Sequence, residues 1–123
     1  GVAQYKKLWS KKYPNSIGMF YSAMTHRVGL KPMDEEYILM GMAAYGRPSY
    51  AQRMVSHYID DMFNLEFKRN LHTGVEEGFL KKADNMDIAA SAQVVCETLI
   101  QKVSLGFTIQ IFHCFCYSLF KGE

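Results

Sequence analysis

The chain of 123 residues is poor in the features that announce most functions. It has three cysteines, three prolines and one tryptophan. An odd cysteine count without a signal peptide excludes a disulfide framework and points to reduced thiols in a cytoplasm. Charge of one sign is also missing: 14 basic residues face 12 acidic ones, a net charge of +2. That is too even for binding nucleic acid through its charge, which needs a basic excess or a concentrated patch. There is no P-loop, no G-x-S-x-G and no dinucleotide fingerprint, which removes the familiar nucleotide and hydrolase motifs. No internal repeat or low-complexity segment is found.

An apolar fraction of 49% and a charged fraction of 21% describe an ordinary globular domain, or a piece of one. The chain begins at Gly1 without an initiator Met and reads as a segment of something longer. Gly1 to Lys12 is basic and mildly alternating, as a strand ending in a solvated turn would be. Trp9 is expected to anchor a small satellite core.

Three helices follow in the pattern. Asn15 or Ser16 can cap a first helix from Ile17, whose apolar positions Phe20, Tyr21, Met24 and Val28 share one face and which Gly29 closes. A second helix opens at Asp34, with Glu35 and Glu36 favoured by its dipole, and stops at Gly46-Arg47-Pro48. Being apolar nearly all round, it is expected to be buried. A third runs from Ser49 to about Phe63 and ends on a solvated Asp60-Asp61 pair. Leu65 to Lys68 alternates like a short strand, and His72-Thr73-Gly74 forms a turn. The last helix opens at Asn85 or Asp87 and reaches about Leu105, burying Ile88, Ala92, Val95, Cys96, Leu99 and Val103.

Chemistry is harder to locate. His26, His57, His72 and His113 are too scattered for a local metal site, and His113-Cys114-Phe115-Cys116 lacks a second donor pair to complete a tetrahedron. Gly18 and Gly41 stand out because a glycine inside a helix costs about 1 kcal/mol relative to alanine. Close approach of a ligand or a neighbouring backbone would explain either of them. For Gly41, packing between two helices is an equal alternative.

The stretches that hold those glycines carry a resemblance. Tyr13-Pro-Asn-Ser-Ile-Gly-Met-Phe-Tyr-Ser-Ala-Met-Thr-His-Arg-Val-Gly-Leu30, then Glu36-Tyr-Ile-Leu-Met-Gly-Met-Ala-Ala-Tyr-Gly46, closely resembles the O-carbamoyltransferases of nodulation factors and antibiotics. Asp87-Ile-Ala-Ala-Ser-Ala-Gln93 is similar to a later helix of that family. Two positions depart from the pattern: Ile38 stands where the family has Lys, and Ala44 where it has Pro.

The resemblance implies an α/β fold, a helix-rich fragment of an actin-like, ribonuclease-H-like ATPase domain over residues 1–106. It also implies an ATP- and metal-dependent enzyme. Such an enzyme moves a carbamoyl group from carbamoyl phosphate, through carbamoyl-adenylate, to a hydroxyl of a sugar or other small molecule. The iron-type metal ligands, and the smaller C-terminal domain that forms the adenylate, would lie outside these residues. No catalytic or metal-binding residue is therefore expected here. Nucleotide contacts are carried over to Ser22, where related tRNA threonylcarbamoyltransferases place an acidic ribose contact, and to Gly41.

Neither nucleic acid nor membrane is expected as a partner. Residues 107–123 break from the family pattern and suggest a frameshifted or truncated gene. A membrane tail competes with that reading, but the run is shorter than the ~20 residues a span needs. Two alternatives to the leading function are a non-enzymatic helical module that sits on a membrane or partner, and transfer of threonylcarbamoyl to tRNA. A fragment should leave apolar surface uncovered. The isolated chain is therefore expected to bind a hydrophobic dye strongly or to aggregate; a compact monomer with a sharp cooperative melt would contradict this.

Overall fold

A computed structural model describes residue 7 and residues 9–120, with backbone alone for 107–120. Helix α1 spans Ile17–Arg27, α2 Glu36–Ala43 and α3 Ala51–Tyr58. Strands β1 (Ile59–Asp61) and β2 (Glu66–Phe67) form an antiparallel hairpin, and a 3₁₀ turn at Leu71–Thr73 leads to the long α4, Asn85–Phe120. The described residues thus make a small, helix-rich α/β unit whose sheet is a single hairpin.

Both ends of α1 follow from sequence. Ser16 Oγ accepts the amide of Met19 at 3.4 Å, while the neighbouring Asn15 accepts the amide of Phe67 and ties the hairpin to the helix start. At the other end Gly29 takes φ +88°. Its amide reaches the carbonyl of His26, and that of Leu30 reaches Thr25, which closes the helix in a Schellman motif.

The core is organised on α4. Ile88, Ala92, Val95 and Leu99 recur at three- and four-residue intervals and are fully enclosed against Phe20, Met24, Leu39, Met54 and Tyr58 from the other helices. Three contacts, two of them polar and one a close backbone approach, fasten the turn between α2 and α3 to the first turns of α4. The Arg47 amide donates to Asp87 Oδ1 at 2.9 Å, and the Tyr50 amide donates to Ser91 Oγ at 3.0 Å. Gly46 supplies the third, because its backbone lies directly on the Met86 carbonyl.

Several expectations need correction. The third helix ends at Tyr58, not Phe63. Ile59 is extended and pairs with Phe67, and Asp61 folds the turn by accepting the amides of Phe63 and Asn64. The second helix starts at Glu36, because Met33 is left-handed (φ +67°) and Asp34 is drawn into an ion pair with Lys31. Nor is α2 buried all round. Leu39 alone is enclosed, while Tyr37, Met40 and, just beyond the helix, Tyr45 face outward, because only one side of α2 lies on α4.

Trp9 is 40% exposed and anchors no core. No strand forms at Lys7 or Trp9–Lys12, and the rest of the expected first strand lies outside the described residues. The last helix runs past Leu105 without a break in its backbone, to Phe120.

The glycines differ most from expectation. Gly18 meets only its own capping Ser16 at 3.5 Å, and a Cβ on Gly41 would meet nothing within 4 Å, so neither is required by packing. A Cβ on Gly46 would fall 2.0 Å from the Met86 oxygen. Gly46→Ala should therefore destabilise the chain by about 3 kcal/mol. Gly41→Ala should stabilise α2 by roughly 0.5–1 kcal/mol. Urea unfolding of the two variants beside the parent checks both; equal midpoints would contradict the close approach at Gly46.

Candidate functional site

The junction between α1 and α2 gathers the polar groups with the best claim to ligand chemistry. Ser22 Oγ, half-buried on α1, donates to Glu36 Oε1 at 2.7 Å. The same oxygen accepts the Met33 amide at 2.5 Å, so Glu36 reaches back over its own helix start as the second half of a capping box does. Donation from Ser22 is the main reason the Glu36 carboxyl is held below its usual value; desolvation opposes it and the Met33 amide adds to it. Glu35 acts similarly one turn earlier, accepting the Lys31 amide at 2.7 Å.

Beside this pair lies a groove of about 400 Å³, lined on one side by Met19, Ser22 and His26 of α1 and closed by Met33 and the Leu71–Gly74 turn. His72 stands edge-on to Tyr13, with ring centroids 5.5 Å apart. Gly74, at φ +88°, lets the turn come close to His26, since a Cβ there would sit 3.4 Å from Nδ1. The groove is mainly apolar, with the hydroxyl-bearing Tyr13, Ser22 and Thr73 and two imidazoles among its lining residues. Such a lining suits a flat ring whose polar edge is read by a few donors and acceptors.

Ser22 lines this groove and Gly41 does not; Gly41 is exposed on α2. Sequence reasoning assigned Glu36 only to the helix dipole and missed its bond to Ser22. The available signal was its position three residues after Met33, the spacing of a side chain that reaches back to an amide. His72 and Gly74 were read as a turn, with no sign that α1 would face them.

A second polar cluster fastens the segment that carries this turn. Glu76 Oε2 accepts the Tyr58 hydroxyl at 2.9 Å and lies 3.2 Å from His57 Nε2, while Oε1 pairs with Arg69. Arg27 holds the other end through the carbonyls of Phe79 and Leu80. Among the described residues no three His, Cys, Asp or Glu side chains are grouped to hold a metal ion. Cys96 is buried, and burial pushes its thiol up to about 12, which leaves it without thiolate chemistry at neutral pH. The side chains of His113, Cys114 and Cys116 lie outside the described residues. No helix among the described residues is long and apolar enough to cross a membrane.

Comparison with known proteins bears out the resemblance seen in the sequence. Residues 2–113 match the family described as the carbamoyltransferase N-terminus. An uncharacterized protein of Synechocystis is 34% identical over 122 residues, an alignment covering 82% of this chain and 20% of that protein. The chain thus spans about a fifth of the length of the curated relative it matches. No solved structure matches. The chain belongs to the carbamoyltransferase family, within its N-terminal region.

The lowered Glu36 value has a consequence for pH. A carboxyl with a depressed folded-state pKa adds stability that is present above its unfolded value and is lost as pH falls through the folded one. The Ser22–Glu36 tie should therefore weaken only below about pH 4.5, the ordinary value of the group. Carboxyl titration by NMR should show the Glu36 pKa rising toward that ordinary value in Ser22→Ala; an unchanged value would show that the hydroxyl is not its main partner.

Proposed function

We propose that this chain is an actin-like portion of an ATP- and metal-dependent carbamoyltransferase, and that the groove beside Ser22 receives the nucleotide. The parent enzyme would take a carbamoyl group from carbamoyl phosphate, activate it as carbamoyl-adenylate in a separate C-terminal domain, and transfer it to a hydroxyl of a small-molecule or sugar acceptor. The reaction belongs in the cytoplasm, where ATP and carbamoyl phosphate are present. The observation that carries this reading is the family match over residues 2–113.

The geometry supports a specific role for Ser22 and Glu36. Related enzymes that modify tRNA use an acidic residue at the position of Ser22 to bind ribose. Here the hydroxyl brings the Glu36 carboxylate to within 2.7 Å, so the negative charge is supplied from α2. Oε1 accepts the Ser22 hydroxyl and the Met33 amide, the backbone amides of Asp34 and Glu36 lie close by, and a ligand would meet the carboxylate at Oε2. That oxygen can accept a ribose hydroxyl in a charge-assisted bond, which is stronger than a bond to serine alone. The apolar groove would hold the base against Met19 and Met33 and keep water from the bonds beside it. Gly41, open and without a side chain, would let a ligand or another part of the enzyme approach the α2 backbone. No cluster of His, Cys, Asp or Glu among the described residues would hold the implied metal, whose ligands this reading places elsewhere in the parent enzyme.

The test is an AMP-release assay of the full-length protein with carbamoyl phosphate and ATP. Glu36→Gln and Ser22→Ala should raise KM for ATP about tenfold while changing kcat less, the loss of one charge-assisted contact to the ground state. The 123-residue chain alone should show no AMP release and should bind ATP with a Kd of about 1 mM or weaker, because one wall of a pocket cannot offset the cost of immobilising the ligand. Micromolar ATP binding by this chain, or AMP release from it, would overturn the assignment.

A further inference from the structure

A second concavity of about 230 Å³ shares no lining residue with the groove beside Ser22. Arg53, in the first turn of α3, lines one wall with Tyr50; Gly78, Lys81 and Lys82 line the other. Three cationic residues therefore line one small space. The described carboxylates that form ion pairs do so elsewhere: Asp34 with Lys31, Glu66 with Lys11, and Glu76 with Arg69 and His57. Asp84, the nearest acid in sequence to the lysines, accepts the Met86 amide at 2.8 Å and forms no ion pair with either of them among those described. The first turn of α3 contains no acidic residue, so the helix dipole adds to the positive potential instead of offsetting it.

The lysines are also presented on a fixed loop. Gly78 and Leu80 are both left-handed, at φ +88° and +53°. The Lys81 amide closes a turn on the Gly78 carbonyl, and Ala83 closes another on Leu80. The Arg27 guanidinium pins the Phe79 and Leu80 carbonyls at 2.5 and 2.8 Å. Three like charges repel one another, and a loop free to move would separate them. This one is held in place, which lowers the ordering cost of a ligand.

We propose that this concavity binds a phosphate-type oxyanion, either inorganic phosphate or the phosphoryl head of a small ester. Arginine offers the planar fork that suits phosphate oxygens and the lysines act as point charges. The space has room for one such group and a few waters of ~30 Å³ each.

The test is a titration of the 123-residue chain by amide NMR at constant ionic strength, with inorganic phosphate, glycerol 3-phosphate and acetate in turn. Saturable shifts confined to Arg53, Gly78, Lys81 and Lys82 are expected with the first two probes and not with acetate. Tighter binding of the ester identifies an ester as the ligand; equal binding identifies the free ion. Lys81→Gln with Lys82→Gln should weaken binding about tenfold, and Arg53→Gln provides an independent variant if that pair disturbs folding. Shifts that do not saturate, that appear equally at Lys31 and Lys68, or that persist in a folded variant would overturn the proposal.

Discussion

The contact on which the rest of the structure depends is the close approach of the Gly46 backbone to the first turn of α4. With Asp87 holding the Arg47 amide and Ser91 holding that of Tyr50, it joins segments about 40 residues apart in the chain. It fixes where α2 ends and where α3 begins, and it seats both on the buried face of α4. A side chain at position 46 would separate these elements by more than van der Waals contact tolerates, and the core built on Ile88, Ala92, Val95 and Leu99 would lose its partners.

The groove is a secondary consequence of the same packing. α1 lies on α4 through Phe20 and Met24, and the Tyr21 hydroxyl donates to Gln93 at 3.1 Å. This leaves the side of α1 that bears Ser22 and His26 facing away from the core. The Leu71–Gly74 turn comes to face it because Leu71 is buried and Glu76 and Arg27 hold the segment on either side. Leu71 also lines the groove, whereas Glu76 and Arg27 stand outside it. Their bonds hold the segment that carries the turn opposite α1.

The outward face of α2 is the other large feature. Tyr37 and Tyr45 are 70% and 83% exposed in a chain whose similar Synechocystis protein is several times longer. Apolar surface of this kind on a family member fits an element meant to be covered by further structure.

What the sequence determined by itself was local. The Ser16 cap, the Gly29 terminus, the helical period of Asn85 to Leu105 and the strand character near Phe67 are set by bonds and spacings within a few residues. The family was legible for a related reason, since its motifs are short and contiguous. Tertiary structure decided the rest. Gly46 looked like a helix stop and proved to be the tightest backbone contact, while Gly41 looked unusual and touched nothing. The third helix gave way at Ile59 because pairing with Phe67 outweighed helical continuation. Glu36 met Ser22, and three cationic residues came to line one space, because helices packed on α4 bring together residues that sequence separation hides. Local propensity is written in neighbouring residues, whereas the contents of a groove depend on which distant faces the core leaves exposed.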